Sequence, residues 1–174
     1  MTQGKDAPSA RGGGMSGPRL DHVALTVPDV ESATDFFRAL LGAEPLYDLG
    51  PYRITRGNWM AENVGVHPRA VIRTLRLLQL PGGGCIELLE YEGPASGTNL
   101  PRNSEVGGHH AGFRVDDIDA MVERARQLGL DVQGSVKSND EGPSRGLRWV
   151  YFRAPWGTQL EFVSYPDNWP PGMA

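Results

Sequence analysis

The sequence predicts an α+β fold: two tandem β-α-β-β-β modules forming curved mixed sheets. Three observations predict it. A strand-to-helix motif occurs twice, a Gly-x-x-[Ile/Leu]-Glu strand occurs twice, and each copy carries its own helix start and stop signals. The stretches LDHVALTVPDVESA (20–33) and GHHAGFRVDDIDAM (108–121) superpose at a constant shift of 88 residues. His22 then falls on His110, Leu25 on Phe113, Val27 on Val115, Asp29 on Asp117 and Val30 on Ile118. Self-similarity at a fixed shift argues for a duplicated structural unit.

The elements follow in order. In the first strand Val23, Leu25 and Val27 share one face, and His22, Ala24 and Thr26 share the other. Asp29 is placed to cap the helix that follows, because its carboxylate can accept from first-turn N–H groups. Val30, Ala33, Phe37, Leu40 and Leu41 form the helix's apolar stripe, and Gly42 sits where a glycine ends it. VIRTLRLLQL (71–80) and GGCIELLEY (83–91) read as a strand hairpin. In the second copy Ala111, Phe113 and Val115 oppose His110, Gly112 and Arg114. Asp117 caps a stripe of Ile118, Met121, Val122, Ala125 and Leu128, which Gly129 ends. LRWVYFR (147–153) and GTQLEFVSY (157–165) complete it, with Glu161 aligned on Glu87. That last alignment is shifted by only 74 residues, so PYRITRGNWMAENVGVHP (51–68) reads as a loop insertion in the first copy. The modules are therefore bounded at 19–91 and 107–165. A Gly/Pro/Ser/Asn-rich linker at 92–106 joins them. Residues 1–18 read as a flexible N-terminal tail and 166–174 as an irregular C-terminal tail.

Composition removes several classes of function. With 17 basic and 21 acidic residues the net charge is −4, so electrostatics give no reason for a nucleic-acid or anionic-membrane partner. One cysteine, Cys85, excludes an internal disulfide and a multi-cysteine zinc site. No apolar run approaches the roughly 20 residues that span a bilayer. The N-terminus lacks an apolar signal core, which predicts a cytoplasmic location.

His22 and His110 begin equivalent strands, and Glu87 and Glu161 lie in equivalent last strands. If the two curved sheets associate about a pseudo-twofold axis, the four side chains can converge. Two imidazoles and two carboxylates suit one six-coordinate divalent cation: Fe, Mn, Co, Ni or Zn. A structural zinc site would favour thiolates instead. Ala24 and Gly112 follow each histidine by two positions and leave space beside the imidazole. His109 must point to the opposite face from His110, which gives it a structural or interfacial place.

The duplication, the HVALTVPDVE opening, HAGFRVDDID, CIELLEY and APWGTQLEF together resemble the vicinal oxygen chelate superfamily over about residues 20–165. The resemblance implies sheets that wrap a metal cavity, with the family's ligands on His22, Glu87, His110 and Glu161. It also implies proton abstraction next to a carbonyl through a metal-bound enediolate. Glu161 would then be a ligand and a candidate base, with Glu87 the pseudo-symmetric second catalytic carboxylate; which of the two handles the proton stays open. ELLEYEGP is similar to a segment of the methylmalonyl-CoA epimerases, and GLRWVYFRAPWGTQLEFVSYP is similar to cyclitol-ketone epimerases acting on valiolone-type sugars. The expectation is thus an epimerase acting on a small-molecule hydroxyketone. Three alternatives stay open: a glyoxalase I-type lyase, an extradiol-type dioxygenase, and a non-enzymatic metabolite- or drug-binding protein. The resemblance further implies a homodimer, with modules paired within a chain or exchanged between chains. Arg114, Trp59 and Arg148 are candidate substrate contacts: Arg114 by its place on the His110 face, the others by lying in or beside segments that could cover the cavity.

Overall fold

In the computed structural model, residues 20–94 and 100–166 are described. The expected N-terminal tail, the centre of the linker and nearly all of the C-terminal tail lie outside them. The first module runs β1 (His22–Thr26), α1 (Val30–Leu41), β2 (Glu44–Leu49), α2 (Trp59–Val64), β3 (Val71–Gln79) and β4 (Cys85–Glu92). The second runs β5 (Ala111–Arg114), α3 (Ile118–Gln127), β6 (Asp131–Ser138), β7 (Arg148–Arg153) and β8 (Gln159–Ser164).

Each module folds into a four-stranded mixed sheet, ordered β1-β4-β3-β2 in one and β5-β8-β7-β6 in the other. The β1/β4 and β5/β8 pairs are parallel and the rest antiparallel. Crossing back to a parallel neighbour requires a long connection. Here that connection includes a helix, and the helix covers one face of the sheet. The helix boundaries obey the predicted chemistry. Asp29 accepts from Ser32 N at 2.7 Å, and Asp117 accepts from Ala120 N at 3.0 Å. Gly42 ends α1 at a φ of 69°, a left-handed conformation that only glycine adopts without strain.

Residues 51–68 are not a loop throughout. They contain α2, whose Met60 is fully buried, and Arg69 ties the segment down by donating to the carbonyls of Thr55 and Gly57.

The helix-facing sides of both sheets share one core. Phe37 of α1 is completely buried, with its ring 6.4 Å from Phe113 of β5 and 5.9 Å from Trp156 in the β7–β8 turn. Arg124 of α3 donates to the Ala39 carbonyl of α1 at 2.6 Å. The modules therefore meet through their helix layers. On the same side of the first sheet, Arg76 of β3 bridges Asp48 of β2 (2.6 Å) and Glu31 of α1 (2.8 Å), pinning helix to sheet. β1 and β5 are the terminal strands of their sheets, and among the described residues neither has a strand partner on its outer side.

Candidate metal centre

Strand register explains why each histidine meets a glutamate. Ala24 lies opposite Glu87 and Gly112 lies opposite Glu161 in the two parallel pairs. The histidine two residues earlier shares that face, so it projects beside the carboxylate. His110 Nε2 is 3.2 Å from Glu161 Oε2, and His22 Nε2 is 3.8 Å from Glu87 Oε2. The tighter pair has the smaller neighbour: a Cβ on Gly112 would stand 3.3 Å from Glu161 Oε2.

Burial pushes the Glu161 carboxyl above the usual carboxylate range, opposed by the charge and hydrogen bond of His110. The Asp21 carboxylate, accepting from His22 Nδ1 at 2.7 Å, raises the His22 imidazole above its ordinary value; slight burial opposes this and Glu87 adds to it. Tyr151 sets its ring edge against His110, with centroids 5.0 Å apart. Burial, and then the nearby Glu161, pushes its phenol up.

The donor set fits a divalent cation. Nitrogen and oxygen ligands about 2.0–2.2 Å from a metal, at right angles, stand about 3 Å from one another. The His110–Glu161 pair has about that spacing, and the His22–Glu87 pair at 3.8 Å is wider. The remaining ring nitrogens are engaged too: His22 Nδ1 by Asp21, and His110 Nδ1 by the Asn103 amide at 3.4 Å. A metal-binding imidazole generally needs such a partner to fix its tautomer and orientation.

The expected convergence of all four ligands is not met within one chain. Among the described residues, no three His, Cys, Asp or Glu side chains come together as a metal-holding group. The reason is the shared core. The modules are joined on their helix sides, and each His–Glu pair stands on the opposite face of its own sheet. Between the β1 and β5 edges lies an open cavity of about 980 Å³. Its walls include Val23, Leu25, Phe113 and Met121, with Asp21 and His110 also among its lining residues.

The other candidates divide. Arg114 lies on the His110 face with its guanidinium 5.4 Å from the centre of the Tyr165 ring. Arg148 is turned away. It shares the parity of buried Val150 and Phe152, and its guanidinium is held by both oxygens of Asp119 on α3, at 2.8 and 2.9 Å. Trp59 begins α2 and is about half exposed, with no contact that brings it to either pair. His109 donates from Nδ1 to the Gly107 carbonyl, apart from Glu161. Cys85 is half-buried and borders the cavity.

Asp21 and Asn103 were not singled out from sequence. Asp21 had a signal, since an acid adjoins the histidine. Asn103 had none. It reaches His110 because the Arg102–Glu105 turn packs on Gly108, where any Cβ would collide with the Arg102 carbonyl oxygen.

A duplicated β-α-β-β-β unit, with one His–Glu pair on equivalent strands of each copy, defines a protein of the vicinal oxygen chelate class. Residues 19–162 match the Glyoxalase/Bleomycin resistance protein/Dioxygenase superfamily, and the chain belongs to it. Over 152 residues it is 41% identical to a 2-epi-5-epi-valiolone epimerase from Actinomyces sp., covering 87% of this chain and 81% of that one. It is 34% identical over 119 residues to an ethylmalonyl-CoA/methylmalonyl-CoA epimerase from Cereibacter sphaeroides, covering 67% and 75%. Among solved structures, a glyoxalase family protein from Bacillus cereus shares the fold with a TM-score of 0.65 at 21% identity, over 87% of this chain and 97% of that one. The fosfomycin resistance protein FosX of Listeria monocytogenes, solved with Mn(II) and sulfate, gives 0.54 at 18% identity, over 88% and 96%. Among the described residues no helix is long and apolar enough to cross a membrane.

Proposed function

We propose that this protein is a divalent-metal-dependent epimerase acting on a small hydroxyketone, with a cyclitol ketone of the valiolone type as its substrate. The observation that carries this reading is the His–Glu pair repeated at equivalent registers, in a chain 41% identical to a valiolone epimerase. His22, Glu87, His110 and Glu161 would hold one Fe, Mn, Co, Ni or Zn ion. Such an ion supplies Lewis acidity, drawing charge onto substrate oxygens and acidifying the neighbouring C–H.

The protein's own groups do the rest. Epimerisation needs a proton taken from carbon on one face and a proton returned on the other. Two carboxylates from pseudo-symmetric strands provide an acceptor and a donor on opposite sides. Glu161 is the stronger candidate acceptor, being the more buried of the two carboxylates and the one set 3.2 Å from its histidine. Tyr151 and Asn103 hold the His110 ring in place. Arg114, on the same face, is placed to contact substrate hydroxyls or anionic groups; Arg148 takes no part.

The test is turnover of 2-epi-5-epi-valiolone in deuterated water. One deuterium at the carbon next to the ketone, in product and in recovered substrate, is expected. Conversion without deuterium at that carbon would overturn the proton-transfer reading, and no conversion by metal-loaded protein would overturn the substrate.

A further inference from the structure

We propose that the second module holds an anion subsite beside its His–Glu pair, and that the subsite takes a phosphate monoester carried by the substrate. The proposal rests on the cyclitol-ketone reading above and narrows it to a phosphorylated ketone.

The subsite is a cavity of about 110 Å³ between the turn that precedes β5 and the adjoining ends of β7 and β8. Arg102 and Asn103 of the turn, His109, Arg153, Thr158 and Gln159 line it, and no carboxylate does among the described residues. Two guanidinium groups, an imidazole, a hydroxyl and two amides make a donor set suited to a tetrahedral oxyanion. The guanidinium fork matches phosphate oxygens in particular. Arg153 is steadied by donating from Nη1 to the Gly157 carbonyl at 3.1 Å, with Asp131 4.0 Å from its Nε. Glu105 accepts from the backbone N–H of Arg102 at 2.7 Å and stands outside the cavity wall. Among the described residues, the Arg102 guanidinium, the Thr158 hydroxyl and the Gln159 amide have no hydrogen-bond or ion-pair partner. Polar groups that converge on one cavity without partners are what a ligand satisfies.

The duplication separates this set from the needs of the fold. The matching hairpin registers pair Gln79 with Cys85 in the first module and Arg153 with Gln159 in the second. At equivalent places the first module therefore has Gln79 for Arg153, Cys85 for Gln159, Gly84 for Thr158 and Asp21 for His109. It builds the same four-stranded sheet without any of these groups. The basic residues of the second module are thus surplus to folding and answer to something bound on that side alone.

Position ties the subsite to the reaction. Gln159 comes two residues before Glu161 on β8, and Arg153 two after Tyr151 on β7. Both therefore stand on the His110–Glu161 face, about 7 Å along the strands from the row that holds Glu161. Asn103 lines the cavity and also reaches His110 Nδ1 at 3.4 Å. A ketone held at the His–Glu pair would reach the cavity with a substituent on the far side of its ring. Anchoring that substituent fixes which carbon is presented to the carboxylate.

Two measurements test this on wild type, Arg102→Gln and Arg153→Gln, each checked for folding by thermal unfolding. Arg102 has no side-chain partner to lose among the described residues, so it carries the test should Arg153→Gln misfold. The first measurement is calorimetric titration of metal-free protein with inorganic phosphate, which then has no metal to coordinate. One phosphate per chain in wild type, bound at least about tenfold more weakly by each variant, is expected from the loss of a charge-assisted hydrogen bond. The second is the ratio of kcat/KM for 2-epi-5-epi-valiolone esterified with phosphate on its hydroxymethyl oxygen to that for the unesterified ketone. Metal-loaded wild type should favour the ester by at least about tenfold, and each variant should lower the ratio by about tenfold.

No phosphate bound by wild type, or equal binding in wild type and variants, overturns the subsite. Phosphate bound at the arginines without preference for the ester overturns the assignment to substrate and makes a free anion the occupant. Turnover of the unesterified ketone leaves the epimerase reading standing in both cases. Turnover of neither ketone overturns that reading and the phosphorylated substrate with it, while the phosphate titration still decides the subsite.

Discussion

Gly112 is the position where a single methyl group separates the role of the metal pair from the stability of the fold. Its φ lies outside the left-handed region, so alanine adopts the same backbone. Replacing glycine within a strand should favour the folded state by about 0.5–1 kcal/mol through lost freedom of the unfolded chain. Against that, the new Cβ would stand 3.3 Å from Glu161 Oε2, tighter than the ordinary 3.5–4 Å contact range. The carboxylate must move by a few tenths of an ångström, away from His110. The first module shows the outcome: with Ala24 at the equivalent position, the His–Glu separation is 3.8 Å rather than 3.2 Å. Gly112→Ala should therefore melt at or slightly above the wild-type temperature while binding metal about tenfold more weakly, the scale typical of disturbed ligand support. Ala24→Gly should not weaken binding. The assays are thermal unfolding of the apoprotein and a competitive metal titration. Gly112→Ala with unchanged affinity would refute the claim that the small residue positions the glutamate. A large loss of apoprotein stability would refute the claim that the position is otherwise free.

Other outcomes follow from the same geometry. Phe37→Ala removes a fully buried ring at the module junction and should cost about 3–5 kcal/mol in urea unfolding; a cost below about 1 kcal/mol would contradict the shared core. Arg148→Ala should leave KM and kcat for the valiolone substrate unchanged, since Asp119 holds that guanidinium on the helix side. Arg114→Ala should raise KM about tenfold, the scale of one charge-assisted hydrogen bond. The Arg76 guanidinium beside Asp48 holds its carboxyl below the usual range. A depressed folded-state value gives stability that is present above the unfolded aspartate value of about 3.9 and is lost as pH falls through the folded value. Thermal midpoints of wild type should thus fall below about pH 4, and Asp48→Asn should flatten that acid limb; identical limbs would contradict the pairing.

Much of this was legible in sequence because it depends on local rules. Asp29, Asp117 and Gly42 mark helix ends through their own backbone and side-chain chemistry, and the duplicated pattern carried the sheet order of one module to the other. The four candidate side chains were readable because they fall on matched positions of the two copies; their division into one His–Glu pair per module comes from the parallel β1/β4 and β5/β8 registers. Strand alternation places Arg148: its parity with Val150 and Phe152 puts it on the core face of β7, where Asp119 holds its guanidinium. The helix in 51–68 was hidden because it is six residues long with one buried side chain, too short for a period to show. Asn103 could not be found, since its contact with His110 depends on how a turn packs against a distant glycine. Nor could the separation of the two half-sites be read, because it depends on the packing of Phe37 and Arg124 between modules. Pseudo-symmetry in sequence says that two halves match, and leaves open which chain each half serves.

The most direct measurement is metal content by elemental analysis of chelator-free protein, reconstituted anaerobically, for wild type, His110→Ala and His109→Ala. One divalent transition metal per chain in wild type and in His109→Ala, and its loss in His110→Ala, is the predicted result. No metal in reconstituted wild type, or equal retention in both variants, would contradict the assignment of His22, Glu87, His110 and Glu161 as a metal centre.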